Sequence, residues 1–398
     1  MKTSTWKVYL LAIVSFLVGT SQYVISGILD KISDTLGISI TMAGQFVTIY
    51  SLIYAFCTPV LMALTATIER QKLLVGALGI FVVANVLSFA LPGFGPFLIA
   101  RVLMALGAGM VVVTALNIAA KIAPEGKQAS SIATVVMGFT ASLIIGVPLG
   151  RMIAAAYGWK SVFGFIAVMG LLAIFILYRT IPRVQGDAPV PLLKQLAFLK
   201  SRKVALGLSI TFFWLGGYSI AYTYISPYLL QVAGLNEKLL SGVLLAFGVA
   251  SLIGSRFGGY STDKWGVSFT LTGGMLLHIA ALLSLSAVVA LTGTWVLVIV
   301  LVLWSFAAWS TGPTQQYNLI RIEPNYSGIM LSLNQSTMQL AMAAGAGIGG
   351  LAVDRVSLSS LPWFGTVSVA IAVGAALLLF SRIRQETRKE DVPHALPD

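Results

Sequence analysis

The chain has 398 residues, of which 58% are hydrophobic and only 10% are charged, and its mean hydropathy is +0.92. A soluble domain carries roughly 25% charged residues, so the composition excludes an ordinary soluble protein and predicts that most of the chain lies in lipid. The net charge of +12 is explained more simply by basic loops facing anionic lipid than by nucleic-acid binding. A single cysteine, Cys57, excludes an internal disulfide framework or a cysteine metal cluster.

Long apolar runs follow one another along the chain, separated by short polar segments. A bilayer core about 30 Å thick requires roughly 20 apolar residues per helix, whereas strands of a membrane barrel give alternating segments of about ten. The runs are long and unbroken, so we predict an all-α membrane protein with twelve transmembrane helices. The predicted spans are residues 8–29, 42–63, 73–91, 97–119, 129–150, 161–180, 204–227, 239–260, 269–291, 295–316, 329–351 and 362–381.

The basic residues predict the orientation of the chain. An even number of spans places both termini on one side of the membrane, and most of the 25 Lys and Arg residues fall in the loops of that side. Because cytoplasmic loops carry an excess of Lys and Arg, we predict a multi-pass protein of the cell membrane with cytoplasmic N- and C-termini.

The two halves of the chain resemble each other. "ALTATIERQK" at 63–72 is echoed by "GYSTDKWGVS" at 259–268, and "GVPLGR" at 146–151 by "GAGIGG" at 345–350. Parallel repeats with a site at their interface are a recurrent transporter plan. We divide the chain into a first six-helix bundle (1–180), a cytoplasmic linker (181–203), a second six-helix bundle (204–381) and a cytoplasmic tail (382–398). Within the linker, "PLLKQLAFLKSRK" is either a helix on the membrane surface or a solvated connection.

Several motifs in the right order carry a family resemblance. "GYSTDKWG" at 259–266 fits a G-x-x-x-D-[RK]-x-G loop, "RVLMALGAG" at 101–109 resembles an arginine motif of the fourth helix, and "GVPLG" at 146–150 resembles an antiporter motif of the fifth. "WSTGPTQQYNLIRIEP" at 309–324 and "SLNQSTMQLAMAAGAGIGG" at 332–350 look like purine efflux pumps. The chain thus resembles the major facilitator superfamily, within it the twelve-helix drug/proton antiporters, and most of all the purine and sugar efflux permeases.

The resemblance implies two pseudo-symmetric six-helix halves and a secondary efflux carrier that works by alternating access in exchange for protons. It implies no enzyme, and the sequence has no H-E-x-x-H, nucleophile-elbow or phosphate-loop motif. We expect no cofactor and no metal, a small molecule and protons as the transported partners, no nucleic acid, and a monomer in the bilayer. A multidrug or sugar antiporter is the alternative.

One position departs from the family pattern. Many relatives carry a Glu where this chain has Gln22, and an amide cannot carry a proton at physiological pH. Either Asp30 takes that role or the protein is an uncoupled facilitator. Arg101, in the fourth-helix motif, would favour the ionised form of Asp30 if folding brings the two together.

Polar residues recur along the first span at helical spacing. Ser15, Gly19, Gln22, Ser26 and Asp30 follow steps of three or four residues, which places them on one face of a helix. Polar packing between helices explains such a face, and so does a substrate cavity, which the first helix lines in the family. We favour the cavity.

Other spans supply aromatic and amide groups for the same cavity. A pocket of aromatic faces and neutral amides suits a flat, uncharged polar molecule such as a nucleobase or nucleoside, whereas a cation would require a buried carboxylate. Sugars and neutral antibiotics remain open. Besides Gln22 and Ser26, the predicted substrate-binding residues are Asn117, Trp214, Tyr218, Tyr222, Gln315, Gln316, Asn334, Gln335 and Gln339.

Two groups of residues are candidates for conformational gating. The resemblance suggests that Asp263, with Lys264 in a loop, holds neighbouring helix ends together, although a solvated surface pair is the plain alternative. Gly146, Pro148 and Gly150 permit close packing, and the proline could also bend the fifth helix and help the halves seal or rock.

Two more ionisable residues lie within predicted spans. His278 could titrate near neutral pH, but we favour a hydrogen-bonded structural histidine. Arg256 lies near a span end, from which its side chain can reach the interface.

Overall fold

The computed structural model describes residues 5–123, 128–186, 197–291 and 294–390. These residues contain twelve helices long and apolar enough to cross a membrane, which confirms the predicted fold class. The helices are Thr5–Gly27 (α1), Ile40–Leu64 (α2), Arg70–Ala90 (α3), Phe94–Ile122 (α4), 128–157 with one interruption (α5), Lys160–Thr180 (α6), Arg202–Tyr222 (α7), Glu237–Trp265 (α8), Val267–Leu291 (α9), Thr294–Ile322 (α10), Ser327–Arg355 (α11) and Leu361–Glu390 (α12).

The helices α1–α6 form the first half and α7–α12 the second half of the molecule. One large hydrophobic cluster is built mainly from the first half and another mainly from the second. The clusters interlock, because Tyr23 and Val147 of the first half pack in the second cluster, while Ile220 and Tyr224 of the second half pack in the first. We call the membrane side that holds both chain ends the terminal side, and the other the opposite side.

The first predicted span is not one continuous helix. α1 ends at Gly27, the backbone leaves helical geometry at Ile28, and a separate short helix runs from Leu29 to Leu36. The predicted polar face therefore holds from Ser15 to Ser26 but does not extend to Asp30, which lies on the short helix at the opposite side. Residues spaced by three or four positions share a face only if the helix is continuous, and the break at Ile28 interrupts the helix before Asp30.

A π-helical turn interrupts α5 at Ser142–Gly146, just before Pro148. A proline in a helix lacks a donor and its ring clashes with the carbonyl four residues earlier, and single π turns accommodate such faults. A Cβ at Gly146 would overlap Thr20, and one at Gly150 would overlap Val24. These glycines thus allow α5 to approach α1 within the first half.

The loop predicted around Asp263 is helical. α8 continues to Trp265 and ends at Gly266, whose φ of 85° is a conformation that favours glycine. Asp263 and Lys264 therefore lie in the last turn of α8 on the terminal side.

The beginning of the central connection packs against the first half. The amide of Arg70 donates to the carbonyl of Val184 at 2.8 Å, and Gln71 Nε2 donates to the carbonyls of Tyr178 and Ile181 at 2.9 and 2.8 Å. Of the predicted surface helix, residues 191–196 lie outside the described residues, and Phe198–Lys200 forms one 3₁₀ turn. α12 extends to Glu390, into the segment predicted as a tail.

Candidate functional site

Two glutamines meet between the halves of the molecule. Gln22 of α1 and Gln339 of α11 are 3% and 2% exposed, and Gln22 Nε2 lies 3.4 Å from Gln339 Oε1 and 3.7 Å from the sulfur of Met342. Gln22 Oε1 has no hydrogen-bond partner among the described residues. The amide pair is long for a hydrogen bond, so it leaves donor and acceptor capacity free at the junction of the two halves.

Aromatic side chains of the second half pack in the same hydrophobic cluster as Met342, which contacts Gln22. The rings of Tyr218 and Tyr222 stack with centroids 4.9 Å apart and an interplanar angle of 16°, and Phe247 stacks on Tyr222 at 5.5 Å. Trp304 packs against Tyr218, and Trp309 Nε1 lies 3.4 Å from the Tyr218 hydroxyl. Sequence reasoning found both tyrosines but missed the other three, which no amide or charge distinguishes from ordinary apolar positions.

The first half contributes tyrosines that the sequence analysis also missed. Tyr23 packs in the same hydrophobic cluster as Tyr218 and Tyr222, and Tyr54 lies beside the side chain of Gln335. The sequence could have identified them, because Tyr23 directly follows Gln22 and Tyr54 lies one helical turn after Tyr50.

Several predicted binding residues instead form a network inside the second half. Gln315 Nε2 donates to the Gly207 carbonyl at 2.5 Å and to Thr211 Oγ1 at 2.9 Å, Thr211 donates to Asn334 Oδ1 at 2.7 Å, and Asn318 donates to Gln315 at 3.2 Å. Buried amides satisfied in this way hold α7, α10 and α11 together. Gln315 and Asn334 therefore act as packing residues in this conformation.

The remaining predicted residues are scattered. Gln316 is exposed on α10 and Asn117 is half-buried on α4, so their places in a pocket stay predictions. Ser26 and Trp214 are buried at 4% and 3% exposure. Of the predicted set, the structure brings Gln22 into contact with Gln339, and Tyr218 into contact with Tyr222.

Arg101 lies fully buried beside α1 and α2. Its Nη1 donates to the Ser21 carbonyl at 2.9 Å, its Nε lies 3.5 Å from the Phe46 carbonyl, and its guanidinium carbon lies 4.2 Å from the ring centre of Tyr50. Nη2 has no hydrogen-bond partner in the described part of the chain. None of the ion pairs found among the described residues includes Arg101.

Asp30 is paired with a different arginine from the one that the sequence suggested. Arg151, at the end of "GVPLGR" on α5, forms an ion pair with Asp30, and its Nη1 also reaches the Gly27 carbonyl at 3.2 Å. Ser226, in a short helix that follows α7, donates to Asp30 and lies 3.4 Å from Arg151. The buried pair thus belongs to the first half and is bridged to the second by a serine.

Further polar contacts join the halves at the opposite side. Lys31 and Glu237 form an exposed ion pair at 3.0 Å, and Thr41 donates to Asp354 at 2.6 Å. Tyr224 donates to the Ala346 carbonyl at 2.9 Å, and burial, together with the nearby Asp354, raises the pKa of its phenol, which therefore stays protonated. Together with the Asp30 group, these contacts close the opposite side.

The terminal end of α8 is held by hydroxyl groups. Ser261 and Thr270 lie 2.7 Å apart, and Thr262 and Thr314 lie 2.8 Å apart. Asp263 is exposed and forms no ion pair with the other described residues, while Lys264 Nζ reaches the Tyr260 hydroxyl at 3.2 Å. In this conformation Asp263 does not hold the helix ends, so its gating role stays a prediction.

The surroundings of His278 and Arg256, the other two ionisable residues of the predicted spans, are those of structural residues. His278 is fully buried and its Nε2 accepts a hydrogen bond from Trp304 Nε1 at 2.8 Å, as a structural histidine would, while Arg256 is exposed. In the described ranges no group of three or more His, Cys, Asp or Glu side chains comes together as a metal site would require.

This fold, with a buried polar centre between two helical bundles, is that of a membrane carrier. The family model of the Major Facilitator Superfamily matches residues 11–345, and the chain belongs to that superfamily of membrane transporters. It is 66% identical over 389 residues to an uncharacterized MFS-type transporter, YbcL of Bacillus subtilis (strain 168), covering 98% of this chain and 99% of that protein. A second Bacillus subtilis transporter, YtbD, is 28% identical over 94% of this chain and 96% of its own. The relatives indicate no enzyme family.

Solved structures share the fold at low identity. A bacterial homolog of the human lysosomal transporter Spinster, in an inward-facing and unoccupied conformation, superposes with a TM-score of 0.75 at 16% identity, over 99% of both chains. A D-xylose-proton symporter superposes with a TM-score of 0.76 at 18% identity, over 94% of this chain and 97% of its own. These likenesses support the fold, and the site rests on the contacts of this chain.

Proposed function

We propose that the protein exports a small, planar polar molecule of the nucleobase or nucleoside class across the cell membrane. The observation that carries this proposal is the buried pair of Gln22 and Gln339 between the halves, flanked by tyrosines from both. Amides offer donors and acceptors to the edge of a heterocycle, and tyrosine rings offer faces on which it can stack. The unpartnered Gln22 Oε1 is free to accept from such a molecule.

The contacts between the halves support transport by alternating access. With both termini in the cytoplasm, as the basic loops favour, the closed opposite side is the extracellular side. Release to the outside then requires the groups around Asp30, Glu237 and Asp354 to separate while the halves rock about the centre. Gly146, Pro148 and Gly150 would allow α1 and α5 to move as one unit, and Asp263 with Lys264 would act on the cytoplasmic side when it closes.

Exchange for protons is the coupling that the family resemblance favours, with Asp30 as the carboxylate that would carry the proton. Asp30 is already occupied by its ion pair with Arg151 and by the hydrogen bond from Ser226, which supports a second candidate, an uncoupled carrier. One measurement distinguishes proton exchange from an uncoupled carrier. Substrate-driven proton movement in vesicles that is lost in Asp30→Asn supports exchange, whereas wild-type transport without proton movement supports the uncoupled carrier.

Uptake into inside-out membrane vesicles tests the substrate class. Adenine, hypoxanthine, arabinose and a cationic dye would be compared with and without a proton gradient. We expect saturable uptake of the purines alone, reduced about 5- to 30-fold in Gln339→Ala because a hydrogen bond in a buried site is lost. Gln231→Ala, at an exposed glutamine of the turn Tyr228–Val232, is the matched control. Uptake of arabinose or the dye without uptake of purines would overturn the proposal.

A further inference from the structure

We infer that the central site is cationic, so that the carrier binds its substrate as a monoanion and exports it down the membrane potential. The inference rests on the proposed function and names the charge of the substrate at the same site. It starts from Arg101, a buried cation next to the peptide segment that carries Gln22.

Neutral groups surround Arg101 on every side that the structure describes. Its contacts are the carbonyls of Ser21 on α1 and Phe46 on α2, the sulfur of Met104 on α4 and the ring of Tyr50 on α2. A guanidinium remains charged under all ordinary conditions. The buried carboxylate nearest in sequence to this segment, Asp30, is already neutralised by Arg151.

Gln22 decides the net charge of the site. Arg101 donates to the carbonyl of Ser21, the residue before Gln22, and because Gln22 is a neutral amide this segment adds no negative charge to offset the guanidinium. A buried charge without a partner is costly, and within a membrane it marks a functional group by default. A negatively charged substrate supplies the missing partner, whereas a cation adds a second like charge.

Unpartnered polar atoms beside Arg101 suit the same kind of ligand. Arg101 Nη2 and the hydroxyl of Tyr50 are both buried without hydrogen-bond partners among the described residues, and both can donate. An anionic oxygen or a deprotonated ring nitrogen is the kind of acceptor that such unpartnered donors, one of them charged, would bind. The class of ligand is therefore a planar heterocycle that has lost one proton.

An anionic substrate also provides a driving force. Moving one charge through 100 mV corresponds to about a 50-fold concentration ratio, and a potential that is negative inside the cell expels anions. Export then requires no residue that carries a proton, which agrees with an amide at Gln22.

Transport by the purified full-length chain in proteoliposomes tests the inference. A potassium gradient with valinomycin sets the potential, and the probes are xanthine in mildly alkaline buffer, where it is a monoanion, and adenine, which is uncharged there. We expect xanthine to accumulate against its gradient when the lumen is positive, by up to about 50-fold per 100 mV, and adenine to show no dependence on potential.

Variants separate the charge of Arg101 from its packing. Arg101→Gln should remove the preference for xanthine over adenine, whereas Arg101→Lys, which keeps the charge, should retain it. Gln22→Glu should also remove it by neutralising the site. Arg256→Gln, at an exposed arginine of α8, is the control and should behave as the wild type.

The possible outcomes are distinct. Equal, potential-independent transport of both purines overturns the inference and leaves the proposed function standing. Failure to transport either purine overturns the proposed function and the inference with it. Should Arg101→Gln not fold, loss of the xanthine preference in Gln22→Glu supports the inference, and retention of that preference contradicts it.

Discussion

Asp30 and Arg151 form an ion pair at the opposite side of the molecule in which the side chains are only 8% and 1% exposed. Ser226 of the second half donates to the same carboxylate. This hydrogen bond links the two halves, and it exists only while the halves are in contact on this side. When the halves separate, Asp30 and Arg151 stay together on the first half and gain water. The ion pair is therefore buried only in the conformation that is closed on the opposite side, and we call this pair the latch.

Removing one charge of this latch should open the opposite side. Asp30→Asn or Arg151→Gln leaves the other charge buried, which costs about 3–5 kcal/mol, so the population should shift toward the conformation open on that side. The double variant should cost less than either single change.

Spin labels at the exposed positions Asp34 and Lys238, in a Cys57→Ser background, measure this opening as a longer distance. The exposed pair of Lys31 and Glu237 provides the control, since breaking it with Lys31→Gln should change the equilibrium by at most about 1 kcal/mol. An unchanged distance distribution in Arg151→Gln would show that the pair does not hold the halves together.

Close approach of α2 to Tyr224 gives a second way to disturb the closed side. A Cβ at Gly44 would collide with the Tyr224 hydroxyl, which is fixed by its hydrogen bond to Ala346. Gly44→Ala should therefore destabilise the closed side by about 1–3 kcal/mol and slow turnover. Gly76→Ala on α3, where the added carbon meets nothing within 4 Å, should leave the transport rate unchanged. Equal rates for the two variants would mean that the sides do not close as described.

Gln22 is the position at which proton coupling can be introduced. A Glu there would stand beside the segment that Arg101 holds and would add a group able to gain and lose a proton. We expect Gln22→Glu to make transport respond to a pH gradient, measured as uptake into vesicles, and Gln22→Leu to show no such response. If Gln22→Glu leaves the pH dependence of the wild type unchanged, coupling is not decided at this position.

Most of the fold could be predicted because span length and hydropathy are local properties. The twelve apolar runs emerge as twelve helices, although α8 and α11 extend past their predicted ends to Trp265 and Arg355. The break at Ile28 could not be predicted, since no proline or charge marks it.

The site could be predicted only in part because its decisive contacts join distant segments. Asp30 and Arg151 are 121 residues apart, and residue spacing gives no means of choosing Arg151 over Arg101. The buried amides of α10 and α11 show a second limit of sequence-based prediction. Sequence identifies Gln315 and Asn334 as unusual in lipid, but only the packing reveals that Thr211 satisfies both.

Equilibrium binding of hypoxanthine to the purified protein tests the central claim most directly. Titration calorimetry would compare the wild type with Gln22→Leu, Gln339→Leu and the double variant. If the two amides form one site between the halves, each single change weakens binding, and the double change departs from the sum of the two by about 0.5–3 kcal/mol, as expected for residues in contact. Wild-type affinity in all three variants would contradict a substrate site at this pair.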